Sequence, residues 1–154
     1  MNKLKLISPI VMWLTVLIGV VIIFNLVSSQ RIFEDNTFSA ILVISAGLYW
    51  LYFFSMAVYV HRQAVLSVDK IKKVIKQGPY GLVRHPIYAA DIILAWGVFF
   101  FWPTLRVLTS VLWLTIVLLF WMRLEEWGLT QRFGDEYRDY KKQIPMIVPK
   151  IFKK

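Results

Sequence analysis

Ile87 to Met122 form a run of 36 residues in which only Asp91 and Arg106 are charged. As a single helix rising about 1.5 Å per residue, this run would be far too long for the roughly 30 Å of hydrocarbon in a bilayer. Pro103 sits near its middle, flanked by Trp102, Thr104 and Arg106. Proline removes a backbone donor and clashes with the preceding turn. The run therefore predicts a tight hairpin, with one span over Ile87–Trp102 and the next over Leu105–Met122. Two further apolar runs, Leu6–Val27 and Phe38–Val60, are each long enough for one crossing. The exit of the first, Val27-Ser28-Ser29-Gln30, is a poor signal-peptide cleavage site, which favours a retained helix.

Composition agrees. The chain has 154 residues, 58% hydrophobic and 18% charged, against about 45–50% and about 25% in soluble domains. A domain of this size cannot bury such a surplus. The expected fold is all-α and integral to the membrane. It is one domain over residues 1–154, with four transmembrane helices, a C-terminal hairpin and cytoplasmic interfacial helices. No glycine-rich βαβ fingerprint is present, so the fold is not Rossmann. There is no cysteine, which excludes disulfides and thiolate nucleophiles, and with only His61 and His85 no metal site is expected.

All but Arg31 and Arg106 of the 18 lysines and arginines fall on one side of these four spans. They precede the first span (Lys3, Lys5), lie between the second and third (Arg62 to Arg84), or follow the fourth (Arg123 to Lys154). The positive-inside rule makes that side cytoplasmic, with both termini on it. The net charge of +9 then reflects topology and attraction to anionic membrane lipids. Nucleic-acid binding is not expected, because no basic stripe lies on a soluble module.

The remaining polar sequence is two segments on that face. In the first, Asp69–Lys76 places Ile71, Val74 and Ile75 on one side of a short interfacial helix, with Asp69 as its cap and lysines towards headgroups. It ends at Gly78-Pro79, and a rigid Gly78–Tyr88 loop follows that carries Tyr80, Arg84, His85, Pro86 and Tyr88. The second begins at Arg123 and contains the adjacent Glu125 and Glu126, then Tyr137 and Tyr140 at helical spacing. Paired carboxylates at the end of an apolar helix are costly unless paired or used. A short hairpin makes the third and fourth spans antiparallel neighbours, so the loop and the glutamates meet at one cytoplasmic mouth. The first two spans carry no motif and are assigned only packing. Most tryptophans fall near span ends, as a belt does.

In order, Gly78-Pro79-Tyr80, Arg84-His85-Pro86-Ile87-Tyr88, an apolar hairpin, Glu125-Glu126 and Phe133-Gly134-Asp135-Glu136-Tyr137-Arg138-Asp139-Tyr140 resemble the isoprenylcysteine carboxyl methyltransferase family. That family stands within a wider group that includes the membrane phospholipid N-methyltransferases. The resemblance covers about residues 78–149, the catalytic half. One departure is Ala90, where the family pattern has glycine. The neighbouring Asp91 is an intramembrane carboxylate that needs a partner, either Arg84 or Arg123, or faces the site.

The resemblance implies a methyltransferase that uses S-adenosyl-L-methionine at the cytoplasmic face. Tyr80, Arg84, His85, Pro86, Tyr88, Glu125 and Glu126 would bind that cofactor. Arg84 or His85 suits its carboxylate, a glutamate its diol or ammonium, and Tyr80 or Tyr88 its adenine or sulfonium. The partner would be a lipid-like methyl acceptor entering sideways from the bilayer. For a carboxylate acceptor, the isoprenylcysteine type and the first expectation, Arg84 or Arg123 would orient the substrate. For an amine of the phosphatidylethanolamine type, Glu125, Glu126 or His85 would serve as base. The catalytic set is thus Arg84, Arg123 and Glu125. The rival from another class is a non-enzymatic four-helix scaffold or complex subunit, in which the same charges form a structural cluster.

Overall fold

The computed structural model describes residues 8–34, 36–61 and 68–149. Among the described residues there are five α-helices: α1 Pro9–Leu26, α2 Thr37–Val60, α3 Pro86–Phe101, α4 Leu105–Phe133 and α5 Asp135–Gln143. Among the described residues, β pairing amounts to an isolated bridge between Arg31 and Thr104. The fold is all-helical, as expected, and α1, α2 and α4 are each long and apolar enough to cross a membrane. The 16-residue α3 is apolar but shorter. Lys3, Lys5, Arg62, Lys150, Lys153 and Lys154, invoked for orientation, and the start of the first run at Leu6, lie outside the described residues.

Local sequence sets the boundaries. Ser8 caps α1 by accepting from the Ile10 amide, with Pro9 at the first helical position. Asn36 and Ser39 form a reciprocal capping box on α2. Thr104 accepts from the Val107 amide to start α4 just after Pro103, which is the predicted hairpin break. Beyond Met122, α4 continues for three more turns, so Glu125 and Glu126 lie within a helix and not after one. Gly134 ends it at φ +56°, ψ −125°, a conformation that costs any residue with a Cβ. The chain then turns into α5.

α2 packs on α3, α3 on α4, and α1 on α4. Met12 and Val16, one turn apart on α1, meet Leu118, Trp121 and Met122 of α4 in the main core cluster. A Cβ on Gly97 would fall 2.8 Å from the Ala46 Cβ, so glycine is what lets α3 approach α2. The outer faces of α1 and α2 expose Ile18, Val21, Leu26, Ile41, Ile44 and Leu48, a surface suited to hydrocarbon rather than water.

One expected element is absent. Residues 71–77 form no helix; a 3-10 turn at Val68–Lys70 leads into irregular chain, then a second turn at Gly78–Gly81. There is no helix for Asp69 to cap. Ile71, Val74 and Ile75 are instead directed at an internal cavity.

Candidate active site

The cavity, about 830 Å³, is lined by all five helices and by the 71–80 segment. One end is polar, with His61, Tyr80, Arg84, His85, Tyr88, Glu125, Tyr137 and Tyr140. The other is apolar, walled by Ile10, Trp13, Leu14 and Leu17 of α1 and by Trp50 and Phe54 of α2. A volume of this size suits a drug-sized ligand.

Arg84 ties the polar end together. Its Nε donates to Glu126 Oε1 at 2.7 Å, and Nη2 lies 2.7 Å from the same oxygen. Nη1 donates to the carbonyls of Lys141, at 3.0 Å, and Ile144. The backbone amides of Arg84 and His85 donate to the carbonyls of Pro145 and Met146. The arginine therefore joins the loop to α4, to α5 and to the chain beyond α5. Glu126 is 2% exposed and is held on its other oxygen by Lys141 Nζ at 3.1 Å. It does not line the cavity.

Glu125, its neighbour, does line it. Consecutive helical residues point about 100° apart, which separates the two carboxylates. Glu125 Oε1 accepts from the Tyr88 hydroxyl at 2.7 Å, and Oε2 lies 3.7 Å from His85 Nδ1. His85 occupies the N-cap position of α3 but does not cap it with its side chain. Its ring is stacked near Tyr88, and its buried Nε2, 3.4 Å from Glu126 Oε1, has no aligned hydrogen-bond partner. Pro86 starts α3 and is buried. Above the site, Tyr140 donates to the Tyr80 carbonyl at 2.7 Å, which holds α5 over the loop. Burial pushes the phenols of Tyr80, Tyr137 and Tyr140 well above their ordinary range, so all three stay neutral donors.

Tyr80, Arg84, His85, Pro86, Tyr88 and Glu125 are thus brought to one cavity, with Glu126 braced behind it. Arg123 is not: it is exposed and does not line the cavity. Asp91 pairs with neither Arg84 nor Arg123; its Oδ1 accepts from Trp50 Nε1 at 2.6 Å, and the residue faces the cavity. Ala90, at the departure from the family glycine, is fully buried. The first two spans do more than pack. They supply Trp13, Trp50 and Phe54, and α2 ends at His61, which is buried with an unpartnered Nδ1. Burial pushes that imidazole below its usual range. A sequence signal for it existed, since both histidines of the chain flank apolar spans on the same face.

A family model described as phospholipid methyltransferase matches residues 36–136. Methanethiol S-methyltransferase of Pseudomonas deceptionensis is 35% identical over 74 residues, 47% of this chain and 27% of that protein. The methanethiol S-methyltransferase of Crocosphaera subtropica is 36% identical over 75 residues, 49% and 29% of the two chains. Methanethiol S-methyltransferase 1 of Bradyrhizobium diazoefficiens is 37% identical over 70 residues, 46% and 24%. The chain spans less than a third of the length of these curated relatives. No solved structure matches it.

Proposed function

The chain belongs to the phospholipid methyltransferase family, and from that membership we propose a membrane enzyme that transfers a methyl group from S-adenosyl-L-methionine to an amphipathic acceptor. The observation that carries the proposal is the single cavity joining a polar end to an apolar one. The cofactor suits the polar end and an acceptor tail the apolar end. In this reading α3 is the fourth crossing, and the site end of the bundle is cytoplasmic because the basic residues gather there.

The residues present fit the cofactor. Glu125, fixed by the Tyr88 hydroxyl, suits the ribose diol or the ammonium. His61 Nδ1 is a buried polar atom without a hydrogen-bond partner among the described residues, and His85 Nε2 has none that is aligned, as expected of groups that meet a ligand. Tyr80 and Tyr137 offer neutral hydroxyls and ring faces. Bound there, S-adenosyl-L-methionine supplies a methyl group on a sulfonium. The protein's part is to hold the acceptor in line and keep the site dry. The acceptor would slide in between α1 and α2, whose apolar side chains line that end of the cavity.

Isoprenylcysteine-type carboxyl O-methylation, the first expectation from the resemblance, has less support. A carboxylate acceptor needs a free cation. The two arginines expected to supply it do not: Arg84 is engaged by Glu126 and two carbonyls, and Arg123 is exposed away from the cavity, which leaves Lys73 as the cation on the cavity wall. The relatives' named acceptor, methanethiol, is a thiol with no carboxylate to orient. Calorimetric titration of S-adenosyl-L-methionine into the purified protein in detergent tests the proposal. Binding in the micromolar range is expected; no binding by folded protein at millimolar cofactor would overturn it.

A further inference from the structure

A carboxylate taken into a cavity needs a cationic donor, and Arg84, the first expectation for that role, is engaged by Glu126 and two carbonyls. Lys73 is a different case. It lines the cavity and is also exposed to solvent, which places it at the mouth. Its ammonium has no ion-pair partner among the described residues. Its backbone hydrogen-bonds to the ring of His61, which closes α2, lines the same cavity and is 9% exposed. His61 Nδ1 is buried and has no hydrogen-bond partner among the described residues, so the bond to the Lys73 backbone is made by Nε2. Burial, with the Lys73 charge adding to it, pushes the imidazole below its usual range. The ring is therefore neutral at pH 7, with its proton on Nε2 and a lone pair open on Nδ1. The Tyr80 ring, its centroid 5.5 Å away, places this pair at the polar end of the cavity.

We propose that Lys73 and His61 form the subsite for the amino-acid end of S-adenosyl-L-methionine. Lys73 Nζ donates to the carboxylate, and His61 Nδ1 accepts from the ammonium. Glu125 then serves the ribose diol. Both charges of the zwitterion are met at the mouth, where the cofactor enters from water, and the sulfonium reaches inward. Neither residue belongs to the motifs between Gly78 and Tyr140 that carry the family resemblance. A carboxylate on the acceptor would have the same chemistry, but the acceptor's apolar wall of Trp13, Trp50 and Phe54 lies at the other end. This assignment rests on the methyltransferase reading and supplies the cation which that reading lacks at Arg84.

The test is calorimetric titration of the full chain in detergent with three nucleosides. S-adenosyl-L-methionine has both charged groups, its decarboxylated form keeps only the ammonium, and 5′-methylthioadenosine lacks both. Wild type is expected to bind S-adenosyl-L-methionine at least about tenfold more tightly than the decarboxylated form. Lys73→Gln is expected to erase that preference by weakening the carboxylate-bearing ligand alone, and Lys73→Arg, which keeps the cation, to retain it. His61→Phe is expected to weaken both ammonium-bearing ligands and leave the preference between them. Methylthioadenosine should bind every variant as it binds wild type; a loss there equal to the loss of S-adenosyl-L-methionine would mean general damage and overturn the subsite. No preference in wild type, or an undiminished one in Lys73→Gln, overturns the role of Lys73. Unchanged affinities in His61→Phe overturn that of His61. If Lys73→Gln instead loses dodecanoate, counted by native mass spectrometry, while the nucleoside preference stays, Lys73 serves an acceptor carboxylate and the assignment falls. Binding without preference removes the subsite alone, whereas binding of none of the nucleosides by folded wild type removes the methyltransferase reading with it.

Discussion

The two ends of the helical bundle are closed by different chemistry. At one end the α1–α2 and α3–α4 connections meet through the backbone. The Ile32 amide donates to the Pro103 carbonyl at 2.8 Å, and the Leu105 amide to Gln30 at 2.9 Å. Side-chain caps finish the helices there, and the Arg31–Glu34 ion pair is exposed. At the other end the loop before α3 is held by Arg84, Glu126 and Lys141 in a buried ionic cluster. Both ends solve the same problem of joining helices. The first shows that backbone pairing and caps suffice for it. A buried ionic cluster gains little net stability over apolar packing, so the cluster at the second end calls for another role. That role is to hold a rigid polar wall around a cavity.

The contrast predicts unequal costs of damage. Arg84→Met leaves the buried Glu126 to Lys141 and His85 alone, and removing one partner of a buried ion pair costs up to about 3–5 kcal/mol. Thermal unfolding in detergent should show the largest loss of this series, together with lost cofactor binding. An unchanged melting temperature would mean that the cluster holds nothing together. Gly97→Leu forces a side chain into the Ala46 contact between α2 and α3, and overpacking of this kind costs about 1–3 kcal/mol. Its melting temperature should fall less than that of Arg84→Met. Asn36→Ala removes a cap at the backbone-paired end, worth about 1 kcal/mol. It should lower stability slightly and leave cofactor affinity untouched. A drop in affinity equal to that of a site variant would erase the distinction between the ends.

High pH probes the site end. Tyr80, Tyr137 and Tyr140 have raised phenol pKa values from burial, while the unfolded chain ionises its tyrosines near about 10. The folded state then holds more protons above that point. Their contribution is complete below about pH 10 and declines as pH rises further. Ultraviolet titration should show these three phenols ionising only as the protein unfolds; full ionisation of the folded protein near pH 10 would contradict their burial.

The end-to-end layout was legible because proline and apolar run length act locally. Pro103 divides α3 from α4 where the sequence required a break. The meeting of the Gly78–Tyr88 loop with the glutamates followed from the hairpin alone, but the engagement of Arg84 by Glu126 did not. Residues 71–77 were misread because Ile71, Val74 and Ile75 carry the helical i, i+3, i+4 spacing where no helix forms. A helix that short is marginal without tertiary support, and here Ile71, Val74 and Ile75 line a cavity that only the assembled bundle creates. The different fates of Glu125 and Glu126 depend on the rotation of α4, which adjacency in sequence does not reveal. Trp50 became visible as a site residue only once α2 was laid against α3.

The most direct test of whether the chemistry lies at the buried-charge end is S-adenosyl-L-methionine affinity, by calorimetry, in wild type, Glu125→Gln and Asn36→Ala. Glu125→Gln keeps the shape and an acceptor for the Tyr88 hydroxyl but removes the charge facing the cavity. The account predicts at least about a tenfold loss, about 1.4 kcal/mol, in Glu125→Gln with its melting temperature retained, and none in Asn36→Ala. Equal affinity in all three proteins would contradict it.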